Sequence, residues 1–119
     1  MDASISPLAA AFLEMCAHDY TALSFAFQVV ADEAPKATFD VEVGAVRTLL
    51  GDLIRSNLIE PCEWDPNGAG LKPWHGDKET LVQRISEALA ELTWRPSFSH
   101  PLWFCSTAEG KALAERLGL

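Results

Sequence analysis

Three cysteines, three histidines and a run of closely spaced carboxylates are the residues of this chain whose chemistry could be put to work. Cys16, Cys62 and Cys105 are widely spaced and form no Cys-x-x-Cys, which predicts free thiols in a reducing compartment. Cys62 and Cys105 fall in two segments that read as strands and could be neighbours, but spacing alone establishes no disulfide. His18 follows Cys16 by two residues, about 200° around a helix. The two therefore do not cooperate, and Cys16 reads as core. His75 and His100 sit in loops rich in Pro and Gly, without metal-ligand spacing. The alternative is that one of them meets Cys105 in space as a Cys/His pair. Glu60, Glu63 and Asp65 cluster on one strand, where alternation puts Glu60 on one face and Glu63 with Asp65 on the other. Acid–base work would require one of these carboxyls in an apolar cleft. A solvated strand that discourages edge pairing is their ordinary role. Asn67-Gly-Ala-Gly70 lacks the strand–helix context and the lysine of a phosphate loop. A non-catalytic chain with no metal and no cofactor is the expectation.

These groups sit in a chain of 119 residues, the length of one domain, with an apolar share of 49%. The formal charge is −8, and the half up to Glu60 carries nine acids against three bases. Such a surface repels phosphate and attracts basic partners at long range. Nucleic acid is thereby disfavoured. The N-terminus has no basic stretch ahead of an apolar one, and no apolar run reaches membrane-spanning length, so a cytoplasmic protein without membrane contact is expected.

The elements that must position these residues follow from periodicity. Pro7 suits a first helical turn, capped by Ser6 or Ser4, and Leu8, Phe12, Met15 and Cys16 carry a helix to His18. Leu23, Phe27 and Val30 mark a second helix ending before Pro35, although the aromatic stretch from Tyr20 would also suit a short strand. Asp40 is the expected cap of the clearest helix, Val41 to Asn57, whose stripe is Val46, Leu49, Leu50, Leu53 and Ile54. Asn57 can close it in a left-handed conformation. Leu58 to Trp64 reads as a strand that Pro61 should keep at an edge or bulge. Asp65 to Gly70 is a turn cluster, and the loop continues to Gly76. Asp77 caps a helix carrying Leu81, Ile85, Leu89 and Leu92. A strand from Leu102 to Cys105 then leads into a last helix. Ser106-Thr-Ala-Glu109 has the form of a capping box, with Ser106 or Thr107 as the cap, and Gly110 suggests that a backbone or large ring packs against the first turn.

Leu49-Leu-Gly-Asp-Leu-Ile-Arg-Ser-Asn-Leu-Ile-Glu60 and Trp103-Phe-Cys-Ser-Thr-Ala-Glu-Gly-Lys-Ala-Leu113 together resemble the winged-helix superfamily. The resemblance covers roughly residues 7–65 and 100–117, and extends to small bacterial proteins carrying an insert. It implies an α+β, mostly α, winged-helix-like single domain over residues 1–119. Its small antiparallel wing hairpin would carry an α-helical insertion at residues 66–100. It also implies a DNA-reading helix. That helix opens on Asp40-Val-Glu-Val-Gly44, where a groove-entering helix usually offers Arg, Lys, Asn, Gln or Ser.

All four tryptophans lie in the second half. Trp64 and Trp103, on facing strands, are expected in the core. Trp74 and Trp94 bracket the inserted helix, either stapling it or meeting a partner. The expected function is therefore a monomeric or homodimeric acidic module that binds a basic protein. A concrete form is an immunity or antitoxin protein covering the substrate site of a nuclease-type toxin. Its candidate contacts are Asp32, Glu33, Asp40, Glu42, Glu60, Glu63, Asp65 and Trp74. The alternative is a transcription regulator reading DNA with Arg47 and Arg55.

Overall fold

The fold was obtained as a computed structural model, which describes residues 5–119 apart from 66 and 69. The alternative cap Ser4 and the turn residues Pro66 and Ala69 lie outside the described residues. The chain is α+β, with five helices and a four-stranded antiparallel sheet among those residues.

Helix α1, Pro7–His18, begins as expected: the Ser6 hydroxyl accepts from the Ala9 amide and Pro7 fills the first turn. Both readings of the next segment hold in part. Thr21–Ala22 is a short strand, β1, and Leu23–Glu33 is helix α2. Helix α3 is Phe39–Arg55, two residues earlier than expected at each end. Thr38, not Asp40, is its cap, because the Thr38 hydroxyl accepts from the Val41 amide. The shift lets Phe39 stack on Phe27, and leaves Asp40 in the first turn, where the helix dipole favours it. Asn57 then adopts φ 59°, the left-handed stop anticipated for it.

Strand β2, Ile59–Trp64, corrects the expectation drawn from Pro61. It is an interior strand, in a sheet ordered β1-β4-β2-β3, where β3 is Leu71–Pro73 and β4 is Leu102–Ser106. The Pro61 carbonyl accepts from the Trp74 amide, so the donor that proline lacks faces β3 where that strand runs out. Nothing in the local pattern of Leu71–Pro73 announced a strand; pairing with β2 makes it one. Between β3 and β4 lies helix α4, Lys78–Ala90, capped by Asp77 accepting from the Thr80 amide.

Helix α5, Ala108–Leu117, is capped by Thr107, which accepts from the Gly110 amide. Of the two caps expected, Thr107 is the one used, and the box between Ser106 and Glu109 is not formed. Glu109 accepts from the Asn57 side chain instead, and the Thr107 hydroxyl donates to the Asn57 carbonyl. The close approach inferred from Gly110 is real. A Cβ at that position would overlap the Leu58 carbonyl and stand 3.3 Å from Leu13.

One face of the sheet builds the core. Ile59 and Pro61 of β2 and Leu102 and Phe104 of β4 point inward, with Phe12 edge-on to Phe104 at 5.8 Å. Phe12, Leu13, Phe27, Leu50 and Ile54 close this core from the helices. Burying a ring such as Phe104 contributes roughly 1.5–3 kcal/mol. Helix α4 lies along α3 rather than projecting away. Its Val82 reaches the Gly51 turn, and ion pairs tie the segment between β3 and β4 to both ends of α3.

Candidate functional site

Because side chains alternate along a strand, the residues opposite the core share the other face of the sheet. Register places Cys62 across from Trp103 and Glu60 across from Cys105, with Trp64 two residues beyond Cys62 on the same side. These residues make the outer face a site of its own. Trp64 stands edge-on to Trp103 at 5.8 Å, Trp103 meets Phe98 at 5.5 Å, and Phe98 meets Phe25 of α2 at 5.3 Å. The result is a continuous strip of four rings. Trp64 is 49% exposed and Phe98 60%, so the strip is open to solvent at both of these rings. The expectation that Trp64 and Trp103 face each other from adjacent strands holds, but they do so outside the core.

At the centre of this face the Cys62 and Cys105 sulfurs are 3.4 Å apart, and the Cys105 thiol also lies 3.5 Å from a Glu60 carboxylate oxygen. No disulfide joins them, and Cys16 is likewise free. The Cys62 pKa is lowered because the Cys105 S–H can donate to its thiolate. Cys105 is raised by that same contact and by burial, with the nearby Glu60 charge adding to it. Burial pushes Cys16 up to about 12, so that thiol stays protonated and inert. Neither His75 nor His100 partners a cysteine in the described hydrogen bonds. His100 instead accepts from the Leu102 amide through Nδ1, and burial lowers its pKa.

The eight expected contacts divide sharply. Asp32, Glu33 and Asp40 are exposed around the turn from α2 to α3. Asp32 and Glu33 stand at a helix C-terminus with no basic residue in the last turn, where the dipole disfavours carboxylates. Glu60 is exposed on the outer face. Glu42, by contrast, is only 1% exposed, and this corrects its assignment to the surface. Arg95 grips it with both nitrogens, Nε to Oε1 at 2.8 Å and Nη2 to Oε2 at 2.5 Å. The cause is the segment after α4, which folds back over the first turns of α3 and brings the guanidinium with it. Asp65 is also withdrawn from the surface: its side chain is 8% exposed, bonded to the Asn67 amide and paired with Lys72. That pairing and the turn hold its pKa below the usual carboxylate range. Glu63 is exposed but lies 4.0 Å from Arg84.

Trp74 is half-buried, with the Arg84 guanidinium 3.8 Å over its ring. This cation–π contact ties α4 to the sheet, as a stapling role requires. An open recess of about 360 Å³ beside it is lined by Trp64, Lys72, Trp74, His75 and Arg84. Of the two arginines weighed for DNA, Arg55 is engaged by Glu79 through two hydrogen bonds of 2.9 and 3.1 Å. Arg47 is exposed on α3. What the residues alone could not reveal was the outer strip. Phe98 carried no periodic signal, and only the fold brings it to Trp103.

Among the described residues no helix is long and apolar enough to cross a membrane, and no group of three or more His, Cys, Asp or Glu side chains is disposed to hold a metal ion. Compared with known proteins, the chain gives no significant match to a protein family, a curated protein or a solved structure.

Proposed function

We propose that the protein is a binding module that recognises a basic protein through the outer face of its sheet. The observation that carries this reading is the exposed strip Trp64–Trp103–Phe98–Phe25. Contiguous exposed rings are unusual on a surface without a partner, and tryptophan dominates binding hot spots. Glu60 borders the strip, and the −8 charge of the chain would steer a cationic partner toward it. An immunity or antitoxin protein opposing a nuclease-type toxin is a concrete form of this reading.

The scaffold we infer is winged-helix-like. Support comes from the order helix, strand, helix, helix, strand, with the last strand β4 returning between β1 and β2. In that scheme β3 and α4 are an insertion in the wing. The same scheme would assign DNA reading to α3, but two features oppose that role. Helix α4 lies against α3, and Arg55 is committed to Glu79. Arg47 alone is too little cationic surface to hold a phosphate backbone on so acidic a chain.

The experiment is affinity retrieval with the full chain at low and high salt, run beside a gel shift on DNA at low salt. The reading predicts a basic protein retained at low salt, released as salt rises and lost with Trp64→Ala, with DNA mobility unchanged. A DNA shift abolished by Arg47→Ala would overturn it in favour of a regulator.

A further inference from the structure

We propose that Cys62 and Cys105 form a reversible dithiol–disulfide modification site whose co-substrate is a small, carboxylate-bearing disulfide entering beside Cys105. Three observations converge on this pair. The sulfurs are already in contact at 3.4 Å, on adjacent strands and the same face. Diagonal neighbours on antiparallel strands are within side-chain reach of each other, and a disulfide requires a further approach to about 2.05 Å. The two thiols are also unequal in access: Cys62 is buried and Cys105 only half-buried. Finally, Cys105 lines an open recess of about 330 Å³, whose rim includes His18, Asp19, Tyr20 and Lys111. Lys111 and His18 can donate to carboxylates there.

The chemistry balances as two exchanges. Cys105 attacks one sulfur of the small disulfide, and its proton leaves with the first departing small thiol. Cys62 then attacks the Cys105 sulfur, its proton goes to the departing second thiol, and the protein disulfide closes. The protein dithiol is oxidised by two electrons and the small disulfide is reduced to two thiols. Cys62 is thus the resolving residue. The ring it closes joins residues 43 apart and encloses β3, α4 and the strip residue Phe98. Such a ring restricts the unfolded chain.

The test treats the full reduced chain with oxidised glutathione, alkylates the remaining thiols, and maps the products by mass spectrometry. The proposal predicts a loss of free thiols from three to one, a Cys62–Cys105 crosslink with no retained glutathione, recovery of all three thiols with a dithiol reductant, and a raised thermal midpoint. Cys62→Ser should trap one glutathione on Cys105, whereas Cys16→Ser should leave the crosslink unchanged. Three thiols surviving while an exposed reference cysteine is oxidised would overturn the proposal. So would a crosslink through Cys16, or a glutathione adduct persisting on the unsubstituted chain. Retrieval of a basic partner is a separate readout, so failure here leaves the binding role standing.

Discussion

The two faces of the sheet are made from alternate residues of the same strands, yet they obey different rules. Ile59, Pro61, Leu102 and Phe104 are buried and point into the helices, as packing demands. Glu60, Cys62, Trp64, Trp103 and Cys105, one residue out of phase, put a carboxylate, two thiols and two indoles on the other side. The inner face is explained by burial alone. The outer face carries more chemical variety than stability requires, and it is there that a working surface is sought.

Substitutions on the two faces sharpen this contrast, and the largest effect belongs inside. Phe104→Ala should cost about 3–5 kcal/mol in urea unfolding, through lost transfer energy and the cavity left behind. Gly110→Ala, which forces α5 away from the Leu58 carbonyl, should cost about 1–3 kcal/mol by the same measurement. On the outer face Trp64→Ala should cost about 1 kcal/mol, the scale of an aromatic pair at a half-exposed position. Equal losses for Phe104→Ala and Trp64→Ala would erase the distinction between the faces.

The two ion pairs that tie the segment between β3 and β4 to α3 extend the comparison. Arg95→Ala leaves the buried Glu42 carboxylate without its partner and should lower the unfolding midpoint clearly. Glu79→Ala breaks an exposed pair and should barely move it. The smallest effect is a pH dependence from His100, whose folded-state pKa lies below the ordinary value of 6.5. Above 6.5 the imidazole is neutral in both states. As pH falls below that value the unfolded chain takes up the proton first, so stability is lost toward the lower folded value. His100→Gln should flatten that portion of the stability profile.

Much of the fold was legible in residue order because local signals agreed with tertiary ones. Pro7, Asp77 and Asn57 marked helix ends that the structure keeps, and Gly110 announced a close backbone approach. Other signals were overridden by partners far away in the chain. Pro61 looked like an edge because local sequence cannot show that β3 ends where the missing donor points. Glu42 looked like surface because Arg95, 53 residues away, supplies the charge that allows its burial. The site was less legible than the fold. Cys62 and Cys105 could be placed on strands, but strand parity and register were needed to set them on one face with Trp64 and Trp103. Phe98 lies in an irregular segment that no periodicity covers.

The central claim, that the outer face of the sheet is the partner surface, is tested most directly by site-specific photo-crosslinking in the protein's own cells. A photoreactive side chain would replace Trp64 in one variant and Arg47 in the other. The account predicts a covalent adduct with a basic protein from position 64 and none from position 47. Nucleic acid captured from position 47, with nothing captured from position 64, would contradict it.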